Sequence, residues 1–197
     1  MMADLLKEIA PVLANREDVI LVSMAAGLTT QQIRDMAGTG QSVIRIMPNT
    51  PSSIGVGMIQ YCTLDVPAEK QDAFLAIMSK CGLLDQIPEP LIDAASAVSG
   101  SGPAFAYVFM EALADGGVAC GLPRDKALTY AAQMLLGSAQ LLLSSGSHPG
   151  SLKDAVCSPG GSTIQGIRAL EDQAFRSAVI NAVIASFRRN QEMGRNA

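Results

Sequence analysis

The segment SPGGSTIQGIRALED, from Ser158 to Asp172, holds the residues best placed to do chemistry. Two adjacent glycines follow a proline and lead directly into an amphipathic helical pattern. Glycine at a helix entrance costs backbone entropy that a capping side chain would not. Two explanations fit that choice. In one, Gly160-Gly161 is an ordinary loop and Ser162 is the N-cap. In the other, the missing side chains let a ligand reach the backbone, where the free N–H groups of a helix N-terminus bind an anion. The remaining reactive groups are sparse. His148 is the only histidine, which excludes a histidine-rich zinc site and leaves one candidate at most for a Ser-His-Asp triad. Cys157 lies near it in sequence, which allows a thiol nucleophile. A small buried thiol for Cys157, and a cap or surface role for His148 ahead of Pro149, account for both more simply. The ten methionines suit core gaps better than a metal. No carboxylate pair stands apart from the charged helix faces. Such a set points to a reaction needing little acid–base machinery and no metal.

Composition narrows the possible partners. Fourteen basic against eighteen acidic residues leave a net charge of −4, without the basic stripe of a nucleic-acid binder. Gly and Pro break the most apolar stretches, so no membrane span is expected, and no signal-peptide pattern opens the chain. The cysteines at 62, 81, 120 and 157 are scattered with no C-x-x-C pair, which points to reduced thiols in a cytoplasm. Apolar residues make up 49% and charged residues only 16%. So little charge suggests that a partner subunit covers part of the surface.

The elements that must position these residues fall into two regions. Up to about Glu89, helix and strand patterns alternate. ADLLKEIAPVL places Leu5, Leu6, Ile9, Val12 and Leu13 on one helical face. DVILVS reads as a parallel strand buried on both faces. AAGLTTQQIRDMAG reads as a turn and helix capped at Thr29 or Thr30 and stopped at Gly38. SVIRIM is the next strand, halted by PNTPSS. IGVGMIQYCT follows too soon for a crossover, so it is expected to run antiparallel at the sheet edge. AEKQDAFLAIMSKCG is a helix and LLDQI a last strand. Beyond Pro88 and Pro90 the pattern is helical throughout, in LIDAASAVSGSGPAFAYVFMEALADGGVACG, PRDKALTYAAQMLLGSAQLLLSS and FRSAVINAVIASFRRNQEM. The fold class is therefore α/β followed by all-α, with residues 1–89 in the first domain and 90–197 in the second. GTGQSV lies between a helix and a strand, and GSGPAF follows a helix. Neither has the strand–loop–helix order of a dinucleotide fingerprint.

Taken together, SGSGPAF, GLPRDKAL, HPGSLKDAVCSPGGSTIQGIRALE and the INAV helix resemble the pyrroline-5-carboxylate reductases, and VSMAAGLT and RIMPNTP resemble that family's sheet-end motifs. The resemblance covers nearly the whole chain. It implies reduction of 1-pyrroline-5-carboxylate to L-proline by hydride transfer from NADPH or NADH, and a homodimer or larger homo-oligomer formed through interlocked helices. It also implies roles for particular residues. Thr163 hydrogen-bonds the ring nitrogen as the catalytic group. Ser158, Gly160, Gly161, Ser162 and Thr163 cradle the substrate. Ala25, Ala26 and Gly27 in MAAG, with Asn49 and Thr50 in PNTP, contact the cofactor. Where some members carry an acidic or amide side chain the chain has Gly146 and Ser147, and Ala155 stands where some carry an asparagine; no role is transferred there. The family's opening β-α-β segment with its Gly-rich phosphate loop has no counterpart, so a Rossmann-type sheet lacking its N-terminal part is expected. A chain without that loop should bind NADPH weakly, lack reductase activity and aggregate through the edge of VILVS. Two other classes compete. A β-hydroxyacid dehydrogenase would need a catalytic lysine in the long central helix, and SGSGPAFAYVFMEALADGG has none. A non-enzymatic helical dimerisation module would fail to bind NADPH.

Overall fold

The computed structural model describes residues 2–16 and 18–195. Packing divides the chain into two units. One comprises the chain up to Pro103 and again from Val183 onward; the other is Ala104–Ala182.

The first unit is built on a four-stranded sheet in the order β1-β2-β3-β4, formed by Ile20–Ser23, Ser42–Met47, Gly57–Leu64 and Gly82–Gln86. Helix α1 (Met2–Leu13) precedes β1, and α2 (Thr30–Ala37) carries the chain from β1 to β2, which pair parallel with Ser23 opposite Arg45. Thr29 is the N-cap of α2 and forms a capping box with Gln32; Gly38 ends the helix at φ 68°, a left-handed stop that glycine adopts freely. A single 3-10 turn, Thr50–Ile54, joins β2 to β3. That link is too short for a crossover, and the two strands are antiparallel, with Arg45 opposite Cys62. The position expected for β3 was wrong, however. Helix α3 (Ala68–Met78) supplies a crossover that returns the chain along the free side of β3, so β4 pairs parallel there and β3 is interior. The edges are β4 and β1.

Alternation along β2 sorts the core. Val43 packs with Leu6, Leu13, Leu28, Ile33 and Ala37 beneath α1 and α2. Ile44 and Ile46 pack with Ile59, Tyr61 and Phe74 beneath α3, where the Tyr61 and Phe74 rings lie 5.6 Å apart. Two expectations need correcting. Leu5 and Val12 of α1 are exposed, and so is Val22 of β1. An edge strand of four residues has no second neighbour to hold a covering layer over both faces, so β1 is not buried on both.

A 3-10 turn at Glu89–Leu91 leads into α4 (Ile92–Ser99) and then α5 (Gly102–Ala119). No strand follows β4 among the described residues. Within the second unit α5 is followed by α6 (Arg124–Ser145), α7 (Pro149–Ala155), α8 (Ser162–Asp172) and the start of α9 (Phe175–Arg195). Helices α5 and α6 approach closely where Gly117 faces Ala127, and the rings of Phe109 and Phe175 lie 5.7 Å apart. This unit leaves an unusual amount of apolar surface uncovered: Val108 is 67% and Leu143 82% exposed, with Tyr107, Tyr130, Met134 and Leu136 also open. A single layer of helices with apolar residues around most of its circumference cannot bury them alone. Among the described residues no helix is long and apolar enough to cross a membrane.

Candidate active site

Pro159 and Gly160 form the corner of a β-turn in which the Gly161 N–H donates to Ser158 O at 3.0 Å. Gly160 has φ 69°, the conformation that the third residue of a type II turn requires and that favours glycine. The N-cap of α8 is Gly161, not Ser162, and no side chain caps it. A Cβ at Gly161 would collide with Ser158 Oγ. The requirement for glycine is conformational at Gly160, whereas at Gly161 a Cβ would have to displace the Ser158 hydroxyl. The first N–H groups of α8, at Ser162 and Thr163, are left without a capping side chain at the positive end of the helix dipole. Ser158, Ser162 and Thr163 are exposed, so these groups are open to a small anion. One turn earlier, His148 is the N-cap of α7, its Nδ1 accepting from the Gly150 N–H at 3.0 Å, and Cys157 is half-buried. Neither is arranged as a nucleophile or base.

The cofactor candidates lie in the first unit, at the carboxyl ends of the parallel pair β1 and β2, where ligands of open α/β sheets bind. The turn after β1 has Met24 and Ala26 exposed and Gly27 at φ 76°. Its Ala25 N–H donates to Ser23 Oγ at 3.3 Å. After β2, Thr50 is exposed, while the Asn49 carboxamide is occupied by the fold: Oδ1 accepts from the Met58 N–H at 3.0 Å and Nδ2 donates to Ser99 O at 3.1 Å. Asn49 thus ties β2, β3 and α4 together, and only its backbone is left to face a ligand. Small, exposed, largely apolar residues fit the flat end of a dinucleotide. The described residues include no strand–G-x-G–helix loop for a pyrophosphate.

Beneath these turns lies a polar network that sequence reasoning missed. Arg45 points from β2 into the layer beneath α2 and α4 and is 2% exposed. Its Nη2 donates to Asp93 Oδ1 at 2.8 Å, and Nη1 lies 3.6 Å from Glu89 Oε1. Glu89 also accepts from the Thr30 N–H at 2.7 Å and from the Thr30 hydroxyl at 2.9 Å. Burial and the neighbouring Glu89 carboxylate push the Cys62 thiol up to about 11, which keeps it a protonated, inert group. The signal for this network was the single charge inside SVIRIM: an arginine in an otherwise apolar strand must find partners.

The helical segment at residues 89–193 matches the family model for pyrroline-5-carboxylate reductase dimerisation. The chain is 40% identical over 181 residues to a pyrroline-5-carboxylate reductase of Escherichia coli (strain K12), spanning 91% of this chain and 67% of that protein. The chain belongs to the pyrroline-5-carboxylate reductase family. A relative of the same name from Pisum sativum is 43% identical over 192 residues, covering 96% of this chain and 69% of the relative. The crystal structure of Plasmodium falciparum pyrroline carboxylate reductase with NADP bound superposes with a TM-score of 0.90 at 34% identity, over 98% of this chain and 77% of the other. The Coxiella burnetii enzyme superposes at 0.87 and 32% identity, over 97% of this chain and 71% of the other. The α/β sheet followed by a helical dimerisation segment is this family's fold.

Proposed function

We infer that the chain belongs to an enzyme that reduces 1-pyrroline-5-carboxylate to L-proline with NADPH or NADH, the last step of proline biosynthesis. The observation that carries this is identity of 40% or more to enzymes of that name across nine-tenths of the chain. The reduced nicotinamide, when bound, supplies the hydride. The protein's own part is orientation and charge complementarity. The N–H groups that open α8, at Ser162 and Thr163, hold the substrate carboxylate; Gly160 and Gly161 keep that approach free of side chains; Ser158 closes the turn. The Thr163 hydroxyl holds the ring nitrogen, which arrives protonated and asks for no strong acid. Ala25, Ala26 and Gly27, with Thr50 and the Asn49 backbone, line the cofactor side. Residues 1–89 thus serve the dinucleotide, and residues 90–197 serve dimerisation and the substrate. The working form is a homodimer or larger homo-oligomer in the cytoplasm, without nucleic acid or membrane.

The test is an assay of NADPH consumption on addition of 1-pyrroline-5-carboxylate, with proline measured as product and proline binding measured separately. With a strand–G-x-G–helix unit supplied ahead of β1, proline is expected to form mole for mole with NADPH consumed. Thr163→Ala should raise the barrier by about 1–3 kcal/mol through loss of one hydrogen bond to the reacting nitrogen, with the fold intact. A folded preparation that neither binds nor forms proline would refute the proposal. Unchanged kinetics for Thr163→Ala would remove that residue from the mechanism.

A further inference from the structure

We infer that Gly194, in the last turn of α9, is a positioning residue for the turn after β1 and hence for the cofactor end placed there; the second part rests on the proposed cofactor role of Ala25–Gly27. A Cβ added to Gly27 would stand 2.6 Å from Gly194 N and 2.7 Å from its Cα, and a Cβ added to Gly194 would stand 2.6 Å from Gly27 O and 3.2 Å from its Cα. Two backbones therefore meet face to face, and neither side of the contact can yield by turning a side chain. Gly27 needs glycine for its φ of 76° in any case. Gly194 does not. It lies in a helix, where alanine is favoured over glycine, and the close approach is what calls for glycine there.

From Gly27 onward the turn is thus held by parts of the chain remote in sequence. Glu89 fixes Thr30 beyond it through two hydrogen bonds, and Gly194 stands against Gly27. Just ahead of these points Met24 and Ala26 project outward. Helix α9 can press on the turn because it is itself anchored. Asn190 Nδ2 donates to Asp93 O at 3.2 Å, and the hydroxyls of Ser186 and Ser101 are 2.6 Å apart. Displacing the end of α9 by the width of a methyl group would move the turn, not the sheet.

The test uses Gly194→Ala in the full chain, read by hydrogen–deuterium exchange and by NADPH titration. Amide exchange in the peptide spanning residues 24–29 is expected to rise about tenfold, with β2 and β3 exchanging as before. NADPH affinity should fall by a similar factor while proline affinity holds. Asn190→Ala, which loosens α9 without adding bulk, should speed exchange in the same peptide by a smaller factor and keeps the test open if Gly194→Ala fails to fold. Exchange over 24–29 unchanged in the folded variants overturns the inference. Ala26→Glu separates it from the cofactor role. If Ala26→Glu weakens NADPH binding while Gly194→Ala changes neither readout, the positioning role fails and the cofactor role stands. If Gly194→Ala loosens the turn and Ala26→Glu leaves NADPH binding untouched, the cofactor role fails, and Gly194 is left as the residue that positions the turn.

Discussion

Removing Asp93 should destabilise the first unit more than removing Arg45, although the two form one ion pair. The Arg45 side chain is 3% exposed and the Asp93 and Glu89 side chains are each 27% exposed. Asp93→Ala strands a guanidinium that water cannot reach, leaving only Glu89 at 3.6 Å. Breaking a buried pair in this way costs about 3–5 kcal/mol, and the surviving Glu89 lowers the expected loss to roughly 2–3 kcal/mol. Arg45→Met replaces the cation with an apolar chain of similar length. The carboxylates it leaves behind can take up water, so the loss should be about 1–2 kcal/mol. With a urea m-value of about 2 kcal/mol/M, the midpoints should fall by roughly 1–1.5 M and 0.5–1 M respectively. The measurement is equilibrium urea unfolding followed by circular dichroism at fixed protein concentration, since subunit association adds to apparent stability. Arg45→Met combined with Asp93→Ala should cost less than Asp93→Ala alone. An Arg45→Met variant as unstable as Asp93→Ala, or a double variant whose loss is the sum of the two, would refute this account.

Cys62 should resist alkylation in the native protein at pH 8, whereas the exposed Cys120 reacts; mass spectrometry of the labelled peptides decides it. The same thiol gives a pH dependence. Its folded value of about 11 lies above the ordinary 9.0, so its contribution to stability is complete below pH 9 and is lost as the pH rises toward 11. Gly160→Ala should cost about 1 kcal/mol from the left-handed conformation alone, there being no atom within 4 Å of the new methyl. Gly161→Val should in addition abolish proline binding; calorimetry showing normal binding to the valine variant would end the argument for a backbone cradle. Val108→Glu, on the uncovered face of α5, should shift the protein toward monomer in light scattering, and an unchanged mass would place the subunit contact elsewhere.

Sequence and structure agree best where local chemistry acts alone. The strand SVIRIM, the cap at Thr29, the stop at Gly38 and the antiparallel return into β3 all follow from composition and loop length. Disagreement begins where distant segments decide. The interior position of β3 depends on where β4 pairs, which no local pattern states. Leu5 and Val12 match the helical period of α1, yet the layer that would cover them does not extend that far. At the candidate site, GGST was legible as an exposed backbone, but whether Ser162 capped the helix stayed open, because Ser162 and Gly161 are both acceptable N-caps; the cap is Gly161. Asn49 was legible as a sheet-end residue, and its engagement with Met58 and Ser99 was not, since one of those partners lies fifty residues away. Arg45 announced itself only as an anomaly.

The α/β unit is assembled from two stretches of chain with the whole of Ala104–Ala182 between them. During synthesis, therefore, the ribosome delivers the sheet, α4 and the turn at Gly27 first, and the α9 residues that meet them last. The bond from Asn190 to Asp93 spans 97 positions, a loop closure that cannot occur until nearly all of the protein has emerged. Until then the nascent sheet carries an unsupported turn beside the open edge of β1, a state in which chains of this kind can pair wrongly with one another. Premature termination anywhere in the helical insertion would release that state permanently, so quality control in the cell has a reason to recognise this enzyme by its unfinished first half.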